Sequence, residues 1–186
     1  MVDADVSLHH FKVRGVKVWP HVDYTVVVDE TAKRFRATDM RILAFDETGV
    51  GSPVKEMLWR AGIKAEGIKF SDVVEWQSPW GEREHSPIKY AMVELARAVM
   101  QLGYVDLPKT GAAAKELIVQ MGEQEIMPTA GRPKFAHPAG RHDDLMWAFC
   151  MALYVSRRWL VGSGGWFAPV SLAPPLKRVD QLPPVP

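Results

Sequence analysis

The stretch Arg41 to Gly51 limits the possible folds most. Ile42 to Phe45 is an unbroken apolar run, Asp46 ends it, and Gly49 and Gly51 punctuate the turn that follows. A run without polar alternation suits a strand covered on both faces of a sheet. Pro53 fits the first turn of a helix. The stripe Val54, Met57, Leu58, Ala61 continues that helix, and Gly62 is placed to cap its end. Buried strand, acid at its carboxyl tip, glycine turn and helix make an α/β unit, and open α/β sheets bind ligands at the carboxyl ends of their strands.

The rest of the chain extends the pattern. Val6 to Val18 reads as a strand with imperfect alternation, broken by Pro20. Asp23 is an N-cap candidate, and Tyr24, Val27, Val28, Thr31 and Phe35 form a helical stripe after it. The run Val26 to Val28 also suits a strand, but Glu30, Ala32, Lys33 and Arg34 favour helix. Ile63 to Phe70 reads as strand. Residues 71–87, with Pro79, Gly81 and Pro87, read as an exposed loop. A helix is expected from Ile88 to Leu102, stopped by Gly103, then an extended piece from Tyr104 to Leu107 and a helix from Ala112 to Met121. Residues 122–141 read as loop with a short extended piece near Phe135. The last helix runs from Asp143 to Leu160, and residues 162–186, rich in Gly and Pro, read as a flexible tail. The fold class is α/β with a mostly parallel central portion.

Composition excludes more than it selects. The chain has 186 residues, 47% of them hydrophobic and 24% charged, which suits one soluble domain with a real core. A net charge of +1 shows no bulk attraction to nucleic acid, so any basic surface must be local. Cys150 is the only cysteine, which excludes an intramolecular disulfide and a zinc site of several thiolates. Its place in an apolar helix marks it as core. No leader-like amino-terminal segment and no apolar run of membrane-spanning length appears, so a cytoplasmic protein without membrane contact is expected.

Two acidic features carry the chemistry. Asp46 at a strand tip either caps its turn or binds a ligand, and local sequence favours neither. Gly140-Arg141-His142-Asp143-Asp144-Leu145 opens the last helix. Acids there are favoured by the helix dipole, so capping is the plain reading. Adjacent carboxylates also repel unless a cation lies between them, and Mg²⁺ or Mn²⁺ takes one or two carboxylates with water and phosphate oxygens. If Asp46 and the pair converge, they form half a metal cage suited to phosphodiester cleavage. Arg132, Lys134, His137, Arg141 and His142 cluster before the pair, as phosphate contacts or as a solvated loop. Trp76 and Trp80 read as loop-packing residues, with base stacking the alternative.

Phe45-Asp46-Glu47-Thr48-Gly49-Val50-Gly51, followed by His142-Asp143-Asp144-Leu145, resembles the C-terminal nuclease domain of phage large terminases. The resemblance runs from about Val6 to Val155, and Lys89-Tyr90, Tyr104 to Pro108 and Lys134 to Pro138 suit it. It implies an RNase H-like, resolvase-like mixed sheet flanked by helices over residues 1–161. It implies an endonuclease using Mg²⁺ or Mn²⁺ to cut concatemeric double-stranded viral DNA during packaging. Asp46 would be the second acid of the cage, and Asp144, or else Asp143, the third, with Glu47 and Asp143 as supporting or alternate ligands. Lys89, Lys134, Arg141 and His142 would contact DNA. The family opens with an earlier strand bearing a first acid. Here Val6 to Val18 matches its third strand better, so the first strand or strands are expected to be missing, with Asp3 or Asp5 as stand-ins for the acid. No GxxxxGK[ST] occurs, so ATP hydrolysis would fall to a separate domain. The alternatives are a nuclease-like module that has lost its chemistry, or an enzyme of branched DNA.

Overall fold

A computed structural model of the chain describes residues 1–7, 10–38, 40–49, 51–77, 83–127 and 134–160. At its centre lies α5 (Asp144–Leu160). Leu145, Met146, Phe149, Cys150, Leu153 and Val155 are all buried there. A helix apolar on nearly every side has no solvent face and is held inside the protein. Burial also pushes the Cys150 thiol up to about 12, so it stays an inert core residue. No helix among the described residues is long and apolar enough to cross a membrane.

On one side of α5 lie β1 (Val2–Ser7) and β2 (His10–Val16), an antiparallel pair, with β7 (Val105–Asp106) parallel to β2. Phe11 of β2 meets Phe149 of α5 edge to face, with ring centroids 5.8 Å apart. The helices α3 (Ile88–Gln101) and α4 (Ala112–Glu123) flank α5. These elements share one large apolar cluster.

A second unit comprises α1 (Tyr24–Ala37), β3 (Ala44–Asp46), α2 (Gly51–Arg60) and β4 (Glu66–Ile68). Asp23 caps α1 through its bond from the Thr25 N–H, 2.8 Å, and its hydrogen bonds with Thr25 hold its carboxyl below the usual range. β3 and β4 run parallel, with Asp46 opposite Ile68. Val28, Ala32, Leu58 and Ile63 form a separate small core, and β3 also rests on α5. The fold is therefore mixed α/β, combining parallel and antiparallel pairs.

Several expectations change. The single strand from Val6 to Val18 is instead the β1–β2 pair, beginning at Val2, because both halves have residues that suit a half-covered sheet. The expected strand Ile63 to Phe70 shortens to β4, since the Ile63 N–H closes α2 on Leu58 O, 2.9 Å. The loop expected at 71–87 holds β5 (Val73–Gln77) paired with β6 (Arg83–Pro87). The region 122–141 holds β8 (Glu125–Met127) paired with β9 (Lys134–Ala136), the latter containing Phe135. The β5–β6 hairpin carries polar residues on both faces, and each strand of β8–β9 has a single residue, Ile126 or Phe135, on its apolar face, so no apolar period marks either and cross-strand bonding defines them instead. The tail at 162–186 lies outside the described residues.

Two local arrangements position the acids. Glu47 turns back between two glycines, its Oε1 2.8 Å from Lys55 Nζ and its carboxyl held below the usual range first by that bond. A Cβ on Gly67 would collide with Glu47 Oε2 and lie 2.9 Å from its Cδ, and one on Gly51 would lie 2.9 Å from its Cγ. At the start of α5, Gln120 of α4 accepts from the N–H groups of Leu145 and Met146, 2.9 and 3.3 Å, so another helix supplies the cap. Gly67→Ala should cost about 1–3 kcal/mol in urea unfolding. Most of that cost should vanish in a Glu47→Ala background, and equal cost in both would refute the cradle. Gln120→Leu should cost about 1–3 kcal/mol by leaving buried N–H groups unpaired, and Gln120→Glu should not recover it at neutral pH, because its carboxylate would be buried facing Glu116.

Candidate active site

Asp46 leaves the carboxyl end of β3 and is exposed. Its Oδ1 accepts the Thr48 N–H at 2.7 Å, so the turn-capping role does occur. That bond occupies one carboxylate oxygen and leaves lone pairs facing solvent. The Thr48 hydroxyl in turn accepts the Phe70 N–H at 3.0 Å, which pins the turn to the end of β4. Gly49 follows at φ +71°, a backbone shape that favours glycine.

The acid pair before α5 is divided in its contacts. Asp143 Oδ2 accepts the indole N–H of Trp147 at 2.7 Å and lies 3.2 Å from His137 Nδ1. Its side chain is 23% exposed. Asp144 is 87% exposed, with His142 Nδ1 3.8 Å away. Asp143 is thus engaged in holding the helix start, while Asp144 is presented to solvent.

Trp147 draws four elements together. Its ring lies 5.2 Å from that of Phe70 after β4 and meets Phe135 of β9 edge to face at 5.6 Å. Lys89, at the start of α3, sets its ammonium 4.3 Å from the Trp147 ring centre and 4.6 Å from that of Phe70. Each such cation–π contact contributes about 0.5–2 kcal/mol and fixes the cation. A path of contacts therefore joins the two acids: Asp46 opposite Ile68, Phe70 two residues on, Trp147 tilted against it, and Asp144 one turn back along α5. The amino group of Met1 is also near. Burial lowers its pKa, and the charge of Asp144 raises it.

The remaining candidates fall into two sets. Arg141 is paired with Glu123 of α4 at 2.9 Å. Lys134, on β9, and His142 are exposed. Arg132 and Trp80, with the side chains of Trp76, Asp3 and Asp5, lie outside the described residues. Among the described residues no three His, Cys, Asp or Glu side chains gather closely enough to hold a metal ion. Sequence reading passed over Trp147, although its place four residues after Asp143 on one helix puts the two on the same face. Thr48 was likewise missed, because its contact with Phe70 spans two elements.

No protein-family model matches the chain, and no curated protein matches it. Among solved structures, the large terminase nuclease from thermophilic phage G20c, determined with bound magnesium and again with bound cobalt, is similar in fold. Each superposition gives a TM-score of 0.59 at 16% identity, covering 82% of this chain and 79% of the other. An agreement over most of both chains at so low an identity is an agreement of architecture, and site chemistry has to be argued from the residues themselves. The chain has the fold of a phage large terminase nuclease.

Proposed function

We propose that this chain is a metal-dependent DNA endonuclease of the terminase type, cutting concatemeric double-stranded viral DNA during packaging. The observation that carries this reading is the placing of two exposed carboxylates, Asp46 at the tip of β3 and Asp144 at the start of α5, on elements joined through Phe70 and Trp147. The donor set fits Mg²⁺ or Mn²⁺, which accept one or two protein carboxylates and fill their remaining positions with water and phosphate oxygens. The similar G20c nucleases, solved with magnesium and with cobalt, support a divalent ion. When bound, such an ion lowers the pKa of a water and neutralises charge on the phosphate being cut.

The chain's own residues divide the work. Asp46 and Asp144 hold the ion. Asp143 orients the first turn of α5 through Trp147 and keeps His137 close. Lys89, clamped over two rings, presents a fixed positive charge to the DNA backbone, and Lys134 and His142 add exposed positive or neutral donors nearby. Arg141 supports them from its pair with Glu123. The family's first acid is supplied by Asp3 or Asp5, or is missing. ATP hydrolysis for packaging belongs to a separate domain.

One observation favours a second reading. With no three-ligand cluster among the described residues, the chain also suits a nuclease-like DNA-binding module with impaired chemistry. Plasmid nicking with Mn²⁺ separates the two. Asp46→Asn and Asp144→Asn should each lower cutting about a hundredfold or more, beyond the loss typical of outer-sphere changes. Asp144→Asn should lower the melting temperature only slightly, by loss of a charge at the helix start, whereas Asp143→Asn should lower it more. Equal cutting by wild type and both ligand variants would defeat the nuclease assignment. For the exposed cation, Lys134→Ala should weaken duplex binding regardless of sequence and reduce the slope of log K against log salt by about one. An unchanged slope would remove Lys134 from the DNA surface.

A further inference from the structure

The two faces of the β3–β4 pair end differently at its carboxyl rim. Ala44 and Ile68 pack into the α5 cluster, whereas Phe45 packs into the smaller core of α1 and α2. Side chains alternate along a strand, and Asp46 lies opposite Ile68, so Asp46 is on the α5 face of the rim. Glu47 is on the other face. It is bent back beside Gly51 and Gly67, and its Oε1 accepts from Lys55 Nζ of α2 at 2.8 Å. Lys69 follows Ile68 at the end of β4 and is exposed. The bond from Lys55 first, then the charges of Lys55 and Lys69, hold the Glu47 carboxyl below its usual range. Two cations therefore meet one carboxylate on the α2 face, beside Asp46 in the chain.

A lysine–glutamate pair near the surface contributes little to stability by itself. This one needs two glycines kept clear for it, one of them inside a strand, where glycine weakens pairing. The outcome is asymmetric. The Glu47 side chain is 13% exposed, while that of Lys55 is 55% exposed. The carboxylate is withdrawn and neutralised, and the ammonium stays outside with further N–H groups to donate. Lys69 has no carboxylate within ion-pair distance among the described residues. The group is left with one positive charge in excess.

A DNA strand carries a phosphate at every nucleotide, so a site that binds one phosphate must admit its neighbours on both sides. On the α5 face those neighbours meet Lys89, fixed over Phe70 and Trp147. On the α2 face an unpaired Glu47 would repel them, and the fold sets two ammonium groups there instead. We infer that Lys55 and Lys69 form a second phosphate seat, on the α2 face of the rim, which holds the DNA backbone next to the phosphate bound at Asp46. The strand then crosses the rim from the α5 face to the α2 face. The identity of the ligand rests on the nuclease reading above, so the seat is tested without cutting.

Duplex binding is measured on the full chain in chelator over a range of salt, with cutting in Mn²⁺ run alongside. Lys69→Ala and Lys55→Ala should each weaken binding about three- to tenfold and reduce the slope of log K against log salt by about one, and the double variant should reduce it by about two. Lys55→Arg keeps the charge and should keep the wild-type slope. Lys64→Ala removes the same charge before the opposite, amino end of β4 and should change neither quantity. The proposal is overturned by an unchanged slope in Lys69→Ala, by no duplex binding at low salt, or by an equal loss in Lys64→Ala, which is the effect of overall charge rather than of a seat. If wild type and Asp46→Asn cut alike while the slopes fall as expected, the nuclease reading fails and the phosphate seat stands.

Discussion

Burial of α5 on most of its sides is the constraint on which everything else depends. A helix with Phe149, Cys150 and Leu153 buried needs a partner in each direction, and strands β1, β2 and β3 with helices α3 and α4 are those partners. Its first turn then cannot drift. It is capped from a neighbouring helix by Gln120 and held by the indole of Trp147 to Asp143. Asp144 is presented to solvent because the residues around it are occupied in this way. An exposed carboxylate on so firmly held a turn is suited to binding a cation, since little order remains to be imposed when the ligand arrives.

The acid of β3 is positioned by different means with the same result. Asp46 has one oxygen engaged by its turn, and that turn is tied through Thr48 to the end of β4. Glu47, by contrast, is turned inward to Lys55 against Gly51 and Gly67. Neighbouring acids therefore differ in role by environment: Glu47 and Asp143 are held by other side chains, while Asp46 and Asp144 are exposed. Lys89 follows the same logic, since stacking over Phe70 and Trp147 directs a flexible cation to one place.

The two apolar clusters are bridged by β3 and β4, whose Ala44 and Ile68 pack on the α5 cluster while Leu43 and Phe45 pack on the smaller core, with a half-open gap beside them. Open strand edges along such a gap are reactive features, which proteins ordinarily cover or pair. The acids sit on elements from both sides of the divide, Asp46 with the smaller core and Asp144 with the larger. Anything that joins the two sheets also rigidifies the relation between these carboxylates.

Local sequence was enough to place α1 through α5, the β3 strand, the Gly49 turn and the N-cap at Asp23, because each depends on contacts a few residues apart: an apolar stripe at helical period, a glycine at positive φ, a side chain bonding its own backbone. It also named Asp46, Asp143 and Asp144 as the acids of interest. The pairing of β1 with β2 and the hairpins β5–β6 and β8–β9 were not legible because their strands are short and their own patterns weak, and the Gln120 cap and the Trp147 assembly were not because they join residues distant in the chain. Which member of the acid pair stands free could not be read from Asp143-Asp144 as letters. The tertiary structure decided it, because only folding brings His137 beside one carboxylate and directs an indole to it while leaving its neighbour in water.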